Sequence, residues 1–188
     1  MTLIEAIVWI SITTVTMGAI VLSVISFYRA NTYTLEQAQA VSAARRSFET
    51  VVATIREASF ASDGAYPVVS MATSSFAFYA DIDDDPLIER VRYTITNTTM
   101  EKRVLDPTGD PPTYSGTETM SVVTNHIRNE EQGVDGFTYY DKEGSQITDL
   151  TDISALRFVR LTTVVNVSPD RLPNELTMRS SATLRNLR

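Results

Sequence analysis

Cysteine is absent from this chain of 188 residues, and histidine occurs once, as His126. Without cysteine no disulfide can stabilise the folded part, which must rely on its hydrophobic core. A single histidine rules out a His-rich metal centre, and a Ser-His-Asp triad would have to use His126. The favoured interpretation of this residue is a place at the surface or at the end of a strand.

Other signatures of catalysis and of nucleic-acid binding are also missing. The chain has no Gly-rich phosphate loop and no His-Glu-x-x-His motif. Its net charge of -7 and pI of about 4.7 argue against binding to a phosphate backbone. Arg179, Arg185 and Arg188 near the C-terminus are interpreted as a solvated edge, so DNA is not expected as a partner. These absences predict a protein that is not an enzyme and that needs no cofactor.

Charged residues are missing from a long segment near the N-terminus. After Glu5 no Asp, Glu, Lys or Arg occurs before Arg29, and the residues between them are mostly apolar. A helix of about 23 such residues rises about 35 Å, which is enough to cross the hydrocarbon core of a bilayer. The segment therefore predicts a membrane-spanning helix with one acidic residue at its edge.

Glu5 has two interpretations. Thr2-Leu3-Ile4-Glu5 fits a capping box, in which the Thr2 hydroxyl and the Glu5 carboxylate each accept a hydrogen bond from a backbone amide. A carboxylate in lipid costs about 2.5 to 3.5 kcal/mol and is usually paired or functional, so the other interpretation is a partner on another molecule. The segment alone leaves both interpretations open.

The first 28 or so residues resemble the mature N-terminus of type IV pilins and type II secretion pseudopilins. Thr2, Leu3, Ile4 and Glu5 match the family pattern one by one, and the apolar helix follows them. The resemblance implies that a prepilin peptidase removes a short basic leader, which makes Met1 the processed and N-methylated terminus. It also implies that Glu5 pairs with the terminal amine of a neighbouring subunit. A removed leader would explain why no positive charge precedes the helix.

The match with the family has two departures. Met1 stands where Phe is commoner, and Leu22 stands where many pilins have a helix-breaking Pro. Two rival interpretations of the segment explain less. A cleaved secretory signal would need a basic start and small residues at its cleavage site, which residues 27–30 do not supply. A plain membrane anchor explains the hydrophobicity but not Thr-Leu-Ile-Glu at the terminus.

Past Arg29 the helix is expected to continue to about Ala61, with one apolar stripe at alternating spacings of three and four residues. The stripe consists of Val41, Ala44, Phe48, Val51, Ile55 and Ala58. It predicts a contact between the helix and the chain's own globular domain. The predicted organisation is a transmembrane or filament-core helix at 1–30, its amphipathic continuation at 31–61 and a β-rich globular domain at 62–188.

The rest of the chain predicts β-structure. Eight short runs rich in β-branched and aromatic residues lie at 66–71, 75–80, 90–96, 100–105, 120–124, 136–140, 156–167 and 176–184. In the seventh run Val159, Leu161 and Val165 share one face, which predicts a half-buried antiparallel strand. The other face has Arg160 and Thr162 together with Phe158 and Val164. The predicted fold class is α+β, with a long N-terminal helix packed on an antiparallel β-sheet. This is the pilin fold that the resemblance implies.

The clearest ligand-like cluster is the run Asp81-Ile82-Asp83-Asp84-Asp85 at a predicted turn. The carboxylates of Asp81, Asp83 and Asp85 could converge on a hard cation such as calcium. The run lacks the Gly and the Glu of an EF-hand loop, since Pro and Arg stand at those two positions. An acidic solvated hairpin is therefore favoured, and calcium stays as the alternative.

The β-rich part resembles the bodies of PilW-like minor pilins and J-class pseudopilins in the runs 78–83, 90–95, 125–127, 136–141 and 153–161. This resemblance favours a minor, tip-proximal subunit that initiates a filament. The implied partners are other pilin subunits, the prepilin peptidase that also acts as N-methyltransferase, an inner-membrane assembly platform with its ATPase, and the lipid bilayer before assembly. The implied location is a single pass through the inner membrane, followed by an extracellular pilus or a periplasmic pseudopilus. The alternative from another class is a membrane-anchored receptor or enzyme with an extracytoplasmic β domain.

Overall fold

The computed structural model describes residues 2–83, 85–167 and 175–187, without the side chain of Leu187. Met1, Asp84 and Arg188, which are named above, lie outside the described residues. Within them the chain forms one α-helix, eight β-strands and two short 3-10 helices. Contacts divide the chain into two compact units, Met1–Gln39 and Ala40–Arg188. The fold is α+β, with a long N-terminal helix packed against antiparallel sheets, and this confirms the predicted fold class.

Helix α1 spans Leu3–Arg56. In the second unit it buries the apolar stripe that the sequence predicts, because residues three and four apart lie on one face of a helix. Ala44, Phe48, Val51 and Ile55 are each at most 5% exposed. Their side chains, with the exception of the small Ala44, belong to the main hydrophobic core of this unit.

The helix ends at Arg56, about five residues earlier than the predicted end near Ala61. The amide of Ala58 donates to a carbonyl only three residues back, at 3.3 Å, which tightens the last turn. The amide of Ser59 then donates to the carbonyl of Tyr79 at 2.9 Å. The backbone therefore leaves the helix because it joins the neighbouring strand, a partner that helical periodicity does not reveal.

The eight strands form two antiparallel sheets in the described residues. The five-stranded sheet is a meander of β1 (Val68–Met71), β2 (Ser75–Ala80), β3 (Glu89–Thr96), β4 (Thr99–Leu105) and β5 (Thr119–Asn125). The three-stranded sheet contains β6 (Phe137–Tyr140), β7 (Phe158–Val165) and β8 (Leu176–Thr183), in that order. Every strand coincides with one of the eight runs predicted from the sequence, to within two residues at each end.

The strands form two sheets where the sequence predicts one, and the break follows β5. His126 adopts a left-handed backbone there, with φ of 64°, which turns the chain out of the ladder. The amide of Ile127 then donates to the carbonyl of Thr98 at 2.9 Å. At the start of β6 the amide of Phe137 donates to the carbonyl of Thr73 at 2.9 Å, so β6 begins beside the β1–β2 turn.

Strand β7 is buried more deeply than predicted. Phe158 and Arg160 are exposed, but residues 162–165 are buried on both faces. The side-chain amide of Asn129 donates to the carbonyl of Thr162 at 2.8 Å, and its oxygen accepts from the amide of Val164 at 2.9 Å. The half-buried prediction is therefore right for the first half of the strand and wrong for the second, where a loop distant in sequence bonds to the backbone of the strand.

The core of the second unit is aromatic. Phe76 and Phe78 lie two residues apart on β2 and so face the same side, with ring centroids 5.0 Å apart. The ring of Phe76 lies 5.6 Å from that of Tyr139 on β6. The Tyr139 hydroxyl donates towards the carbonyls of Ala72 at 2.8 Å and Ser75 at 3.0 Å, and accepts from the amide of Ala72 at 3.2 Å. Tyr139 thus ties the three-stranded sheet to the turn between β1 and β2.

Helix α1 reaches the last strand of each sheet. The hydroxyl of Ser47 donates to the carbonyl of Val123 on β5 at 2.7 Å. The guanidinium of Arg56 donates to the carbonyl of Ser181 on β8 at 3.4 Å. Unpaired carbonyls on an edge strand invite pairing with another chain, so these two side chains protect part of both edges.

Candidate functional site

The start of α1 contains both hydrogen bonds of a capping box. The amide of Thr2 donates to Oε2 of Glu5 at 2.7 Å, and the amide of Glu5 donates to Oγ1 of Thr2 at 3.4 Å. Both residues are exposed. An acid in the first turn also interacts favourably with the helix dipole. The capping interpretation of Thr2 thus has a geometric basis, while Met1, the predicted processing and assembly residue, lies outside the described residues.

The apolar part of α1 is exposed along its whole length. An 18-residue window of mean hydropathy 2.1 is 0% buried. Leu3 is 79% exposed, Trp9 65% and Leu22 70%. Exposed apolar surface on this scale requires a cover of lipid or protein. By length and composition this helix fits a single membrane span near the N-terminus.

Four hydroxyl groups of the apolar helix are satisfied within it. Those of Ser11, Thr13, Thr14 and Thr16 each donate to the carbonyl four residues earlier, at 2.7 to 3.0 Å. A polar group in hydrocarbon must find a partner inside its own segment or on a neighbouring helix. Because these four hydroxyls bond to their own backbone, they are compatible with a lipid environment.

The β2–β3 loop gathers three carboxylates, though not the three that the sequence singles out. Ligand oxygens of Asp81, Asp83 and Glu89 all lie within 4.8 Å of one another. Asp85 lies outside this cluster, and its Oδ1 accepts from the amide of Leu87 at 2.6 Å. The sequence alone does not give the register of the β2–β3 hairpin, and this register brings Glu89 to the cluster. Since β2 and β3 are antiparallel neighbours, Glu89 pairs with the residue that precedes Asp81.

Glu89 is the buried member of the acidic cluster, with 2% exposure. Its Oε2 accepts from the amide of Ile82 at 2.9 Å. Burial raises the pKa of Glu89, and the nearby carboxylates of Asp83 and Asp85 raise it further, while the hydrogen bond from Ile82 opposes them. Burial also lowers the pKa of Lys102, and the negative charge of Glu89 opposes that shift. The cluster has the ligand type of a hard-cation site, but its acids also serve as acceptors that hold the loop, as in an acidic hairpin.

Three arginines occupy the outer face of the five-stranded sheet, and we call Arg90, Arg92 and Arg103 the arginine face. The first two alternate with buried residues on β3, and Arg103 lies opposite Arg92 on β4. One oxygen of Glu118 accepts from Arg90 at 3.1 Å and from Arg92 at 3.2 Å. Arg103 pairs with Glu101 at 3.0 Å. Alternation along β3 predicts that Arg90 and Arg92 share a face. Only the pairing of β3 with β4 shows that Arg103 lies on the same face.

His126 occupies the place that the sequence favours. It directly follows β5 and is exposed. A cavity of about 510 Å³ is lined by Thr73, Thr96, Asn129, Asp135 and Gly136 among others, and His126 does not line it. The described residues thus give His126 a surface position at a strand end.

Comparison of the sequence with models of known protein families gives no match, and comparison with curated proteins gives none either.

Proposed function

We propose that this protein is a structural subunit of a type IV pilus or a related secretion pseudopilus and that it has no catalytic activity. The observation that carries the proposal is the start of α1. Glu5 takes part in a capping box and lies in the first turn of α1. The apolar part of this helix is exposed. Such a helix requires lipid before assembly and the helices of other subunits afterwards. The resemblance of Thr2-Leu3-Ile4-Glu5 to the family pattern supports the same proposal.

In the proposed mechanism, packing between the helices of different subunits provides the affinity. Glu5 sets the axial position of each subunit relative to its neighbour. Apolar helices of many subunits pack together in the filament core, and the carboxylate of Glu5 pairs with the terminal ammonium of a neighbour. A slipped register would leave the acid unpaired in apolar surroundings, which costs several kcal/mol. The hydrogen bond from the Thr2 amide to Oε2 supports this role because it orients the carboxylate before the neighbour arrives.

The proposal includes the partners and the location that the resemblance implies. A prepilin peptidase would process and methylate the terminus at Met1, and an inner-membrane platform with its ATPase would extract the subunit from the bilayer. The subunit would then stand near the tip of a pilus or a periplasmic pseudopilus as a minor, initiating component.

Substitution of Glu5 tests the proposal. Glu5→Gln keeps a side-chain acceptor for the Thr2 amide but removes the charge, and Glu5→Ala removes both. We expect both variants to insert in the membrane and to lose filament assembly at least tenfold, measured by counting filaments in electron micrographs and by the subunit content of sheared filaments. If Glu5→Gln assembles as well as wild type, Glu5 acts only as a helix cap and the charge pair with a neighbour is wrong. Absence of filaments from wild-type cells would favour the membrane-anchored receptor or enzyme instead.

A further inference from the structure

The arginine face carries more positive than negative charge. Three guanidinium groups face two carboxylates, those of Glu118 and Glu101, among the ion pairs of the described residues. Arg92 and Arg103 are direct cross-strand partners in the β3–β4 register. Like charges placed directly opposite each other destabilise an antiparallel pair. An additional carboxylate at this position would relieve the repulsion.

Two donors on the arginine face have no acceptor. Nε of Arg90 and Nε of Arg103 are buried and make no hydrogen bond within the described residues. A buried donor without an acceptor is costly, so the carboxylates of Glu118 and Glu101 satisfy these two guanidinium groups only in part. Beside Arg103 the same face continues into Met120 and Val122 on β5, which are 55% and 54% exposed.

The β2–β3 loop has the complementary chemistry. Asp83 and Asp85 are both exposed, and Oδ1 of Asp83 accepts from the amide of Asp85 at 3.3 Å. The carboxylates of Asp81 and Glu89 lie close to that of Asp83, so the loop accumulates negative charge. Leu87, in the same loop, is 37% exposed. The loop thus presents carboxylates beside an apolar side chain, and the arginine face presents guanidinium groups beside two apolar side chains.

We propose that the arginine face of one copy binds the β2–β3 loop of a second copy. The carboxylates of Asp83 and Asp85 accept from Arg92 and Arg103, and Leu87 packs against the exposed side chains of β5. Charge-assisted pairs between guanidinium and carboxylate are among the stronger hydrogen bonds in proteins. Because the two surfaces differ, the contact is heterologous and can repeat from copy to copy without closing. The proposal rests on the proposed filament function and names the surfaces that bring neighbouring subunits together.

Cross-linking between cysteine variants tests the contact directly, because the chain has no cysteine of its own. The full chain carrying Leu87→Cys is mixed in detergent micelles with the full chain carrying Met120→Cys, and a short bismaleimide is added. We expect a cross-linked dimer from the mixture and at least tenfold less from either variant alone. Equal cross-linking by Met120→Cys alone, or none in the mixture, would overturn the proposal.

Charge reversal is a second test of the contact between the two copies. Arg103→Glu and Asp83→Arg should each reduce the cross-linked dimer at least tenfold, and the double variant should recover at least half of it, because the reversed charges match again between copies. Lys142→Glu, an equal change of charge at a side chain that is 75% exposed in another turn, is the control and should have no effect. If Arg103→Glu fails to fold by circular dichroism, Arg92→Gln removes one positive charge without adding a negative one and should reduce the dimer in the same direction. No recovery in the double variant would overturn the pairing.

The two proposals fail in different ways. If wild-type filaments form while the cross-link is absent, the contact between the loop and the arginine face is wrong and the filament function stands. If the cross-link forms in micelles while cells make no filaments, the contact is real and the filament function is wrong.

Discussion

Thr2 and Glu5 exchange two hydrogen bonds at the start of α1, one from the Thr2 amide to Oε2 of Glu5 at 2.7 Å and one from the Glu5 amide to Oγ1 of Thr2 at 3.4 Å. The carboxylate therefore has a structural role in its own subunit as well as the proposed role towards a neighbour. The two roles predict different results for substitutions of the two residues.

Thr2→Ala removes the hydroxyl cap and keeps the acid. We expect it to weaken the helix start by about 1 kcal/mol. Faster hydrogen exchange at the Glu5 amide would report this loss, while filament assembly should stay within twofold of wild type. Thr2→Ser retains the hydroxyl and is the matched control. Loss of assembly in Thr2→Ala as severe as in Glu5→Gln would mean that assembly needs the hydroxyl cap as well as the charge.

Glu89 predicts a pH dependence of stability. Its pKa in the folded state is raised above the ordinary value of 4.5, first by burial, so the folded protein holds the proton more tightly than the unfolded chain. Stability from this group is therefore fully present below about pH 4.5 and falls as the pH rises through the raised pKa. We expect Glu89→Gln to melt at a higher temperature than wild type at pH 7 and at the same temperature near pH 4, with the full chain in detergent micelles.

Asp149 should show the opposite behaviour and is the control for the Glu89 experiment. Hydrogen bonds from the hydroxyl and the amide of Thr151 lower the pKa of Asp149. Its contribution is present above the ordinary carboxyl pKa and is lost as the pH falls through the lowered one. Asp149→Asn should therefore be slightly less stable than wild type at neutral pH. If Glu89→Gln melts no higher than wild type at pH 7, the interpretation of Glu89 is wrong.

Calcium is expected to leave the melting temperature of the full chain unchanged at about 1 mM, the range of weak extracellular sites. Glu89 and Asp83 already accept backbone hydrogen bonds within the loop, so both acids have a structural role without a cation. Differential scanning calorimetry with calcium and with excess chelator measures this. A rise in melting temperature that Asp83→Asn abolishes would establish a calcium site, since a ligand of the folded state stabilises it.

Tyr139→Phe should destabilise the second unit by about 1 to 3 kcal/mol, because the carbonyls of Ala72 and Ser75 lose their shared donor in a buried place. Burial raises the pKa of Tyr139, so the hydroxyl stays protonated and able to donate. Tyr140→Phe is the matched control, since the hydroxyl of Tyr140 accepts from Arg160 at 2.6 Å at an exposed position. Denaturant unfolding of both variants measures the difference, and equal losses would show that the buried hydrogen bonds of Tyr139 have no special weight.

Gly136→Ala should destabilise the second unit by about 1 to 3 kcal/mol through overpacking. A Cβ at this position would overlap Cδ1 of Ile95 and would lie 3.3 Å from the carbonyl oxygen of Thr73. Ile95→Val removes the overlapping methyl group, so the double variant should lose less stability than the sum of the two single variants. Strict additivity in denaturant unfolding would show that the clash with Ile95 does not limit the site.

The strands and the second half of α1 were predictable because their signals are local. Alternation along a strand and a spacing of three and four residues along a helix follow from backbone geometry alone. The stripe from Ala44 to Ile55 and all eight strand runs were therefore visible before any contact was known. The helix end was not, because the partner of the Ser59 amide lies on β2.

The acidic cluster and the arginine face illustrate what was not predictable. Asp81 and Asp83 stand out in the sequence, but Glu89 joins them only through the pairing of β2 with β3. Arg92 and Arg103 are also ordinary surface arginines until the β3–β4 register places them opposite each other. In both cases the charge imbalance arises between strands, and periodicity within one strand carries no information about it.

The composition and the order of residues were enough to determine an apolar helix with an acid at its head, an amphipathic continuation and a β-rich remainder, because each depends on residues close together along the chain. Tertiary structure alone decided that the strands form two sheets, that a loop buries the second half of β7, and which charged groups lie side by side. These features depend on contacts between residues far apart in sequence, such as that of Asn129 with Thr162, whose free energy exists only in the folded chain.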